Sequence, residues 1–325
     1  MIIVQTPLRV SFFGGGTDLP SYYREEGGCV LSSTIDKYIF ITIKRRFDKL
    51  LRVGWTRTEM VESIDQIQHE LIREAFRLAN ITEGVEITTM GDIPSAGTGL
   101  GSSSTVTVGS LQAMYTLLGE IVPAERLAQE ACKIEIDLLG KPIGIQDQYI
   151  VAYGGLRFIE FNPDGTVSLE SIELNEDSRR KLNENLMLFY TGVSRSADWI
   201  LVDQKRNIKD RLSILREMKE LAYAASRSLD WCDVDAIGAY LHDGWQLKKK
   251  LSGLISNVAL DETYAAARKA GAMGGKITGA GGGGFLLLYV PHEHQASVRA
   301  ALSGLQELPF QLEPDGSKVI FNYKR

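Results

Sequence analysis

Three serines, Ser102, Ser103 and Ser104, close a stretch that opens at Asp92 and runs through Gly97-Thr98-Gly99-Leu100-Gly101. Alternate glycines let a backbone turn tightly and approach a ligand, because no Cβ stands in the way. Beyond the serines, Leu111, Met114, Tyr115 and Leu118 recur at helical spacing, which predicts a helix with one apolar face over 105–118. Serine is a favoured N-cap, so the run lies where that helix should begin. A glycine loop feeding a helix N-terminus offers free N–H groups and the positive end of the helix dipole, a setting for phosphate. Hydroxyls beside it can add hydrogen bonds or an oxygen ligand for a metal. The common P-loop is excluded, since it needs a Lys directly after its last glycine and none follows here.

A phosphate so held can be worked on by nearby charges. Arg9 lies in Leu8-Arg9-Val10-Ser11-Phe12-Phe13, a strand-like run in which a charge is costly unless paired, so it should face a polar cleft or a carboxylate. Asp18 ends the glycine turn Gly14-Gly15-Gly16-Thr17. Glu135 and Asp137 stand near the C-terminal end of a helix predicted over 123–139, opened by Pro123. Carboxylates there oppose the helix dipole, so one of the two is kept for a reason other than helix stability. Asp147 sits in the loop after that helix, where a carboxylate could also simply cap a neighbouring helix. A third glycine cluster, Gly274 to Gly284, contains Gly279-x-Gly281-x-x-Gly284, the spacing of a dinucleotide fingerprint. The apolar run Phe285 to Val290 then follows as a strand, where the fingerprint requires a helix, with no strand of normal length before it. A loop lying against another backbone or a phosphate is the better account.

The elements that must carry these residues alternate irregularly. Strands are expected at 2–13 (a pair or one bent strand, interrupted by Pro7), within 28–53, at 85–89, 156–161, 167–174, 186–190, 285–290 and 318–323. Helices are expected at about 58–79, 105–118, 123–139, 196–229, 233–252, 258–270 and 292–304, with His69 a structural residue. At 325 residues, two domains are the prior, and the polar stretch 175–184 marks the boundary, giving 1–183 and 184–325. A net charge of −5 gives no electrostatic case for nucleic acid or an anionic membrane. No leader and no bilayer-length apolar run is visible, and the three separated cysteines suit neither a disulfide framework nor a zinc site. The expected setting is the cytoplasm.

Three segments in order resemble the three signature motifs of the GHMP small-molecule kinases: Pro7-x-Arg9 with Gly14-Gly15-Gly16-Thr17-Asp18, Gly99-Leu100-Gly101-Ser102-Ser103, and Lys276 to Gly283. The resemblance spans nearly the whole chain. The form Gly-Gly-Gly-Thr-Asp-Leu-Pro and the segment Gly144-Ile145-Gln146-Asp147-Gln148-Tyr149 are most similar to members that phosphorylate an anomeric hydroxyl.

The resemblance implies a two-lobed α+β fold, the N-terminal lobe like domain 2 of ribosomal protein S5 and the C-terminal lobe ferredoxin-like, with the site between them. It implies ATP and Mg²⁺ as cofactors. Gly97, Gly99, Leu100, Gly101, Ser102, Ser103 and Ser104 would hold the ATP phosphates, and Ser103 and Glu135 the metal, Glu135 lying twelve residues before Asp147. Asp147 would orient or deprotonate the acceptor hydroxyl, and Arg9 would neutralise Asp147 and the moving phosphoryl. Thr17, Asp18, Gly279, Gly281, Gly282 and Arg195 would contact the substrate. The expected acceptor is a sugar or sugar phosphate, foremost a manno-heptose 7-phosphate. Gly15-Gly16, in place of the Glu-His pair of galactose-specific members, argues against galactose. A kinase for fucose or a non-sugar alcohol, and a non-catalytic nucleotide sensor, stay open at this level. So do the cations for a second phosphate, with Arg24, Lys37, Arg57, Lys141 and Arg195 available.

Overall fold

A computed structural model describes residues 1–93, 97–193, 197–206 and 208–323. Among them, twelve strands form two sheets. The strands are β1 (Ile2–Phe13), β2 (Gly28–Arg45), β3 (Leu51–Gly54), β4 (Thr58–Val61), β5 (Val85–Gly91) and β6 (Leu156–Phe161). They continue as β7 (Val167–Ser171), β8 (Leu186–Tyr190), β9 (Gly274–Ile277), β10 (Phe285–Tyr289), β11 (Gln306–Glu307) and β12 (Lys318–Asn322). The helices are α1 (Pro20–Glu26), α2 (Glu70–Leu78), α3 (Ser102–Leu118), α4 (Ala124–Cys132), α5 (Gln146–Tyr153) and α6 (Glu176–Asn185). After them come α7 (Ala197–Arg206), α8 (Leu212–Asp230), α9 (Ala236–Lys249), α10 (Val258–Lys269) and α11 (Gln295–Ala301).

The first sheet runs β12-β1-β2-β5-β3-β4, with β6 and β7 extending from β2. Its ladders are antiparallel except β3 with β5. The second runs β11-β8-β10-β9, antiparallel throughout. β12 thus returns the end of the chain to the sheet in which it began, pairing with Ile2 to Gln5.

Proline does not split β1. The register jumps from Pro7↔Tyr38 to Leu8↔Ile35, so Asp36 and Lys37 bulge from β2 opposite Pro7. Pro7 also lies past the end of β12, so its missing N–H interrupts no ladder on that side. The bulge keeps Leu8 to Phe13 in one buried strand, with Arg9 among them.

Helix α3 is buried on nearly every side rather than on one face, because it packs between β1 and β2 and the helices α2 and α5. Gly109 is part of the reason: a Cβ there would stand 2.3 Å from Ile41 Cδ1 and 2.4 Å from Thr6 Oγ1. The helix expected at 58–79 is only α2. Residues 58–61 instead pair with β3, and a single 3₁₀ turn at Ile64–Gln66, closed by a Ser63/Gln66 capping box, separates the two. His69 is structural, its Nδ1 accepting the Ile72 N–H at the start of α2.

The apolar runs of β8 and β10 serve two cores at once. Leu186, Leu188, Phe285, Leu287 and Tyr289 join the main core with Ala222 and Leu229 of α8 and Ile237 and Leu241 of α9. The alternate residues Met187, Phe189, Leu286 and Leu288 join a second core with Trp245, Leu260 and Tyr264. A strand buried on both faces shows no polar alternation, which is why these read as continuous apolar runs. Among the described residues no helix is long and apolar enough to cross a membrane.

Candidate active site

A cleft of about 280 Å³ lies between the sheets, lined by residues from the first glycine turn, the serine-bearing loop, α5, α7, α9 and the third glycine cluster. Its floor is tied to β1. The Arg9 N–H donates to the Leu100 carbonyl at 3.0 Å, so the loop is stitched to the strand that carries the arginine.

Arg9 makes a fork. Its Nε and Nη2 donate to Asp147 Oδ1 and Oδ2, each at 2.6 Å, and its Nη1 donates to the Gly99 carbonyl at 2.7 Å. The guanidinium is buried, and Asp147 keeps about a fifth of its side chain exposed, toward the cleft. Asp147 stands in the first turn of α5, where a carboxylate also favours the helix dipole. The pair is therefore a rigid, bidentate ion pair beside the glycine loop.

Gly101, not a serine, is the N-cap of α3, at φ +80° and without a side-chain cap. The serines fall inside the first turn, and Ser102, Ser103 and Ser104 all line the cleft. A glycine cap at positive φ, with no side chain folded over the helix start, leaves the first N–H groups to a ligand.

Of the two carboxylates left open by the sequence, Glu135 is the inward one. α4 widens after Cys132 into a π-turn over Lys133–Leu138, in which the Leu139 N–H reaches the Ile134 carbonyl at 3.1 Å. That turn leaves Asp137 exposed and buries Glu135 completely. Ser103 Oγ donates to Glu135 Oε2 at 2.5 Å, Gln148 Nε2 donates to Oε1 at 3.1 Å, and Lys141 Nζ stands 3.4 Å from Ser103 Oγ. Burial pushes the Glu135 carboxyl up, while Ser103 and Lys141 pull it back. Two oxygen donors from two elements, one of them a buried carboxylate, suit a hard cation such as Mg²⁺, which takes one or two protein ligands and completes its shell with water and phosphate oxygens.

At the other end of the cleft, Asp18 is buried and pinned. Gly16 N–H donates to its Oδ1 at 2.8 Å and Gln146 Nε2 to its Oδ2 at 2.9 Å, while burial first and Asp147 next raise its pKa. Among the described residues, three buried polar atoms lining this cleft have no hydrogen-bond partner: Ser11 Oγ, Gln146 Oε1 and Gln204 Nε2. Unmet groups of this kind mark where a ligand with hydroxyls would bind.

Not every expected contact residue faces the cleft. The hydroxyl of Thr17 lies 2.8 Å from the Gly14 and Cys29 carbonyls and accepts the Cys29 N–H, so the fold consumes it. Gly281 and Gly282 pack on Ile255, and the Gly282 N–H donates to the Ile255 carbonyl. Gly279 does line the cleft, closing on the phosphate loop so tightly that a Cβ there would come within 2.7 Å of Gly99 Cα. Thr278 Oγ1 fastens the same junction by donating to the Thr98 carbonyl at 3.1 Å. Arg195 lies outside the described residues, as do Pro94, Ser95 and Ala96.

The sequence assigns no role to several cleft residues, among them Ser11, Gln146, Gln204, Lys248 and Lys276. Lys248 and Lys276 are each only 5% exposed. Lys248 Nζ donates to the Gly279 carbonyl, and Lys276 Nζ donates to the Ser11 and Phe12 carbonyls at 2.7 and 3.0 Å. The signal was present. Ile237, Leu241 and Trp245 define the buried stripe of α9, and Lys248 occupies its next position. Lys276 lies on a fully buried four-residue strand, β9, shorter than a usual strand, just before Gly279.

The comparisons with known proteins agree on one family. The N-terminal domain of GHMP kinases matches residues 62–155, and their C-terminal domain matches residues 208–306. A D-glycero-alpha-D-manno-heptose 7-phosphate kinase of Campylobacter jejuni is 31% identical, over 93% of this chain and 93% of that protein. The crystal structure of a D-glycero-D-manno-heptose 1-phosphate kinase from Bacteroides thetaiotaomicron superposes with a TM-score of 0.83 at 26% identity, covering both chains completely. A Lactococcus lactis galactokinase with bound galactose shares the fold, with a TM-score of 0.77 at 19% identity over 98% of this chain and 94% of that one.

Proposed function

The chain belongs to the GHMP kinases and is an ATP-dependent sugar kinase, and we propose that its acceptor is a manno-heptose phosphate, phosphorylated on the anomeric oxygen. The two heptose kinase relatives are named for different phosphate positions, but both for a phosphorylated acceptor. The 7-phosphate leaves the anomeric hydroxyl free, and that is the substrate proposed here.

The observation that carries the reading is the Arg9–Asp147 fork set against the glycine loop and the start of α3. Phosphoryl transfer asks mainly for positioning and charge stabilisation, and these residues offer each part. N–H groups and hydroxyls at Ser102 to Ser104 cradle the nucleotide phosphates. Ser103 and Glu135 would hold Mg²⁺, which when bound supplies positive charge to those phosphates. Asp147 accepts a hydrogen bond from the anomeric hydroxyl, aligns its oxygen with the γ-phosphorus and takes its proton as the new O–P bond forms and the bond from the γ-phosphorus to the bridging oxygen breaks, releasing ADP. Arg9 holds the carboxylate in that orientation and offsets negative charge at the phosphoryl. Asp18 and Gln146 stand beside Asp147 to meet the remaining sugar hydroxyls.

ATP consumption, measured with Mg²⁺ against free sugars and sugar phosphates including heptose 7-phosphate, tests this directly. Turnover with the heptose phosphate, and a phosphorus signal from the anomeric position, is the expected result. Turnover with unphosphorylated sugars alone would overturn the acceptor assignment while leaving the kinase.

A further inference from the structure

Lys248 and Lys276 form a buried cationic wall with no carboxylate partner among the described residues. An ammonium group has three donors; Lys248 spends one on a carbonyl and Lys276 two, leaving three unused between them. Keeping such charges out of water without an anion is expensive, and a fold tolerates it where an anion arrives from outside. Among the described residues none of the cleft's carboxylates hydrogen-bonds to either lysine. Asp147 is taken by Arg9, Asp18 by Gly16 and Gln146, and Glu135 by Ser103 and Gln148.

The lysines belong to the acceptor end. The Ser11 carbonyl holds Lys276, and a Cβ on Gly15 would touch both Ser11 Oγ and Gln146 Nε2, at 3.9 and 3.8 Å. Ser11, Gln146 and Asp18 are thus neighbours of that wall. Arg9 lowers the pKa of Lys248 while Asp18 and Asp147 raise it, so Lys248 stands near these charges, and Glu135 and Lys141 flank Ser103 at the nucleotide and metal end. None of Arg24, Lys37 and Arg57 lines the cleft, and Lys37 is already paired with Asp36.

We propose that Lys248, supported by Lys276, is the receptor for the phosphate the acceptor already carries, so that this wall selects phosphorylated over free sugars. The inference rests on the sugar phosphate reading above and names the residues that enforce it.

Steady-state kinetics of the wild type, K248M and K248R, with heptose 7-phosphate, a panel of other sugar phosphates and the same sugars unphosphorylated, test it. Calorimetric binding of the preferred sugar phosphate runs alongside. In K248M, KM for the phosphorylated acceptor should rise about 100-fold, the scale of losing one partner of a buried charge pair. KM for ATP should stay near wild type, the loss should be larger for the phosphorylated than for the free sugar, and K248R should recover most of the affinity. An unchanged acceptor KM in K248M, an equal loss for phosphorylated and free sugars, or a loss in KM for ATP instead would each overturn the proposal. Wild-type turnover of free sugars alone would overturn the acceptor reading itself, and the wild-type row reports that separately from the mutant rows.

Discussion

On the wall of the cleft built from β1, α3 and α5, the described charged groups are held by hydrogen bonds within that wall: Arg9 by Asp147, Glu135 by Ser103 and Gln148, Asp18 by a backbone N–H and Gln146. On the facing wall, built from α9 and β9, Lys248 and Lys276 donate, among the described residues, to backbone carbonyls alone. The first wall holds its groups in fixed geometry before any ligand arrives, which is what positioning chemistry needs. The second holds charge in reserve, and a reserve of charge discriminates between ligands. Chemistry and selectivity are thus assigned to opposite sides of one cleft, and the glycine junction at Gly99 and Gly279 sets the distance between them.

The comparison breaks most sharply at Asp147. D147N keeps the shape and removes the proton acceptor, so kcat should fall about 1,000-fold, within the range of general-base effects. ATP affinity, read by fluorescence or calorimetry, should change little, because the nucleotide end is untouched. A variant that retains turnover would move the chemistry off this wall.

Glu135 tests the other half of the same wall. In E135Q the Mg²⁺ concentration for half-maximal rate should rise by at least about 100-fold, the upper end of losses seen when only an outer partner of a metal is changed. Acceptor KM at saturating Mg²⁺ should be preserved. A metal response like that of the wild type would leave Glu135 a packing residue.

The reserve wall is sharpened by pH. Burial first, and Arg9 next, lower the pKa of Lys248 to about 8, against the raising influence of Asp18 and Asp147. Lys248 is thus charged below about pH 8 and loses its proton as pH climbs through that value. kcat/KM for the phosphorylated acceptor should therefore fall, approaching tenfold per pH unit above about 8. Arginine keeps its charge throughout, so K248R should flatten that limb. A descending limb that is identical in wild type and K248R would assign it to another group. The sign for stability is opposite: the desolvation penalty of Lys248 is fully present below about pH 8 and is relieved as pH rises toward 10.5, the ordinary lysine value.

The smallest effect is expected at the junction. Gly279 has φ +62°, and a Cβ would strike Gly99 Cα. G279A should cost on the order of 1–3 kcal/mol of strain, read as a lowered thermal midpoint. It should also raise the KM for ATP and for the acceptor together, since both walls are spaced by this contact. An effect on one KM alone would show that the walls are not coupled here.

The sequence by itself determined much of the chemistry. Glycines and serines at 97–104 announce a phosphate loop because few residue types permit that backbone and those donors together. A lone Arg9 in an apolar strand announces a partner because an unpaired charge there is too costly. Strands β8, β10 and β12 and helices α9 and α10 were legible within a few residues, since their apolar spacing is local information. The remainder needed the third dimension. The resemblance put Glu135 ahead of Asp137, but helix pattern alone did not, and it is the π-turn that buries one carboxylate and leaves the other in water. The 58–79 segment kept a helical period by coincidence, and pairing of β4 with β3 overrode it. Thr17 matched the motif, yet its hydroxyl is spent on Gly14 and Cys29, a fact set by a contact twelve residues away. Lys248 opens the run Lys248-Lys249-Lys250, and the packing of α9 buries it while leaving Lys250 exposed. Burial is a property of what surrounds a residue, and for these side chains the surroundings come from distant parts of the chain.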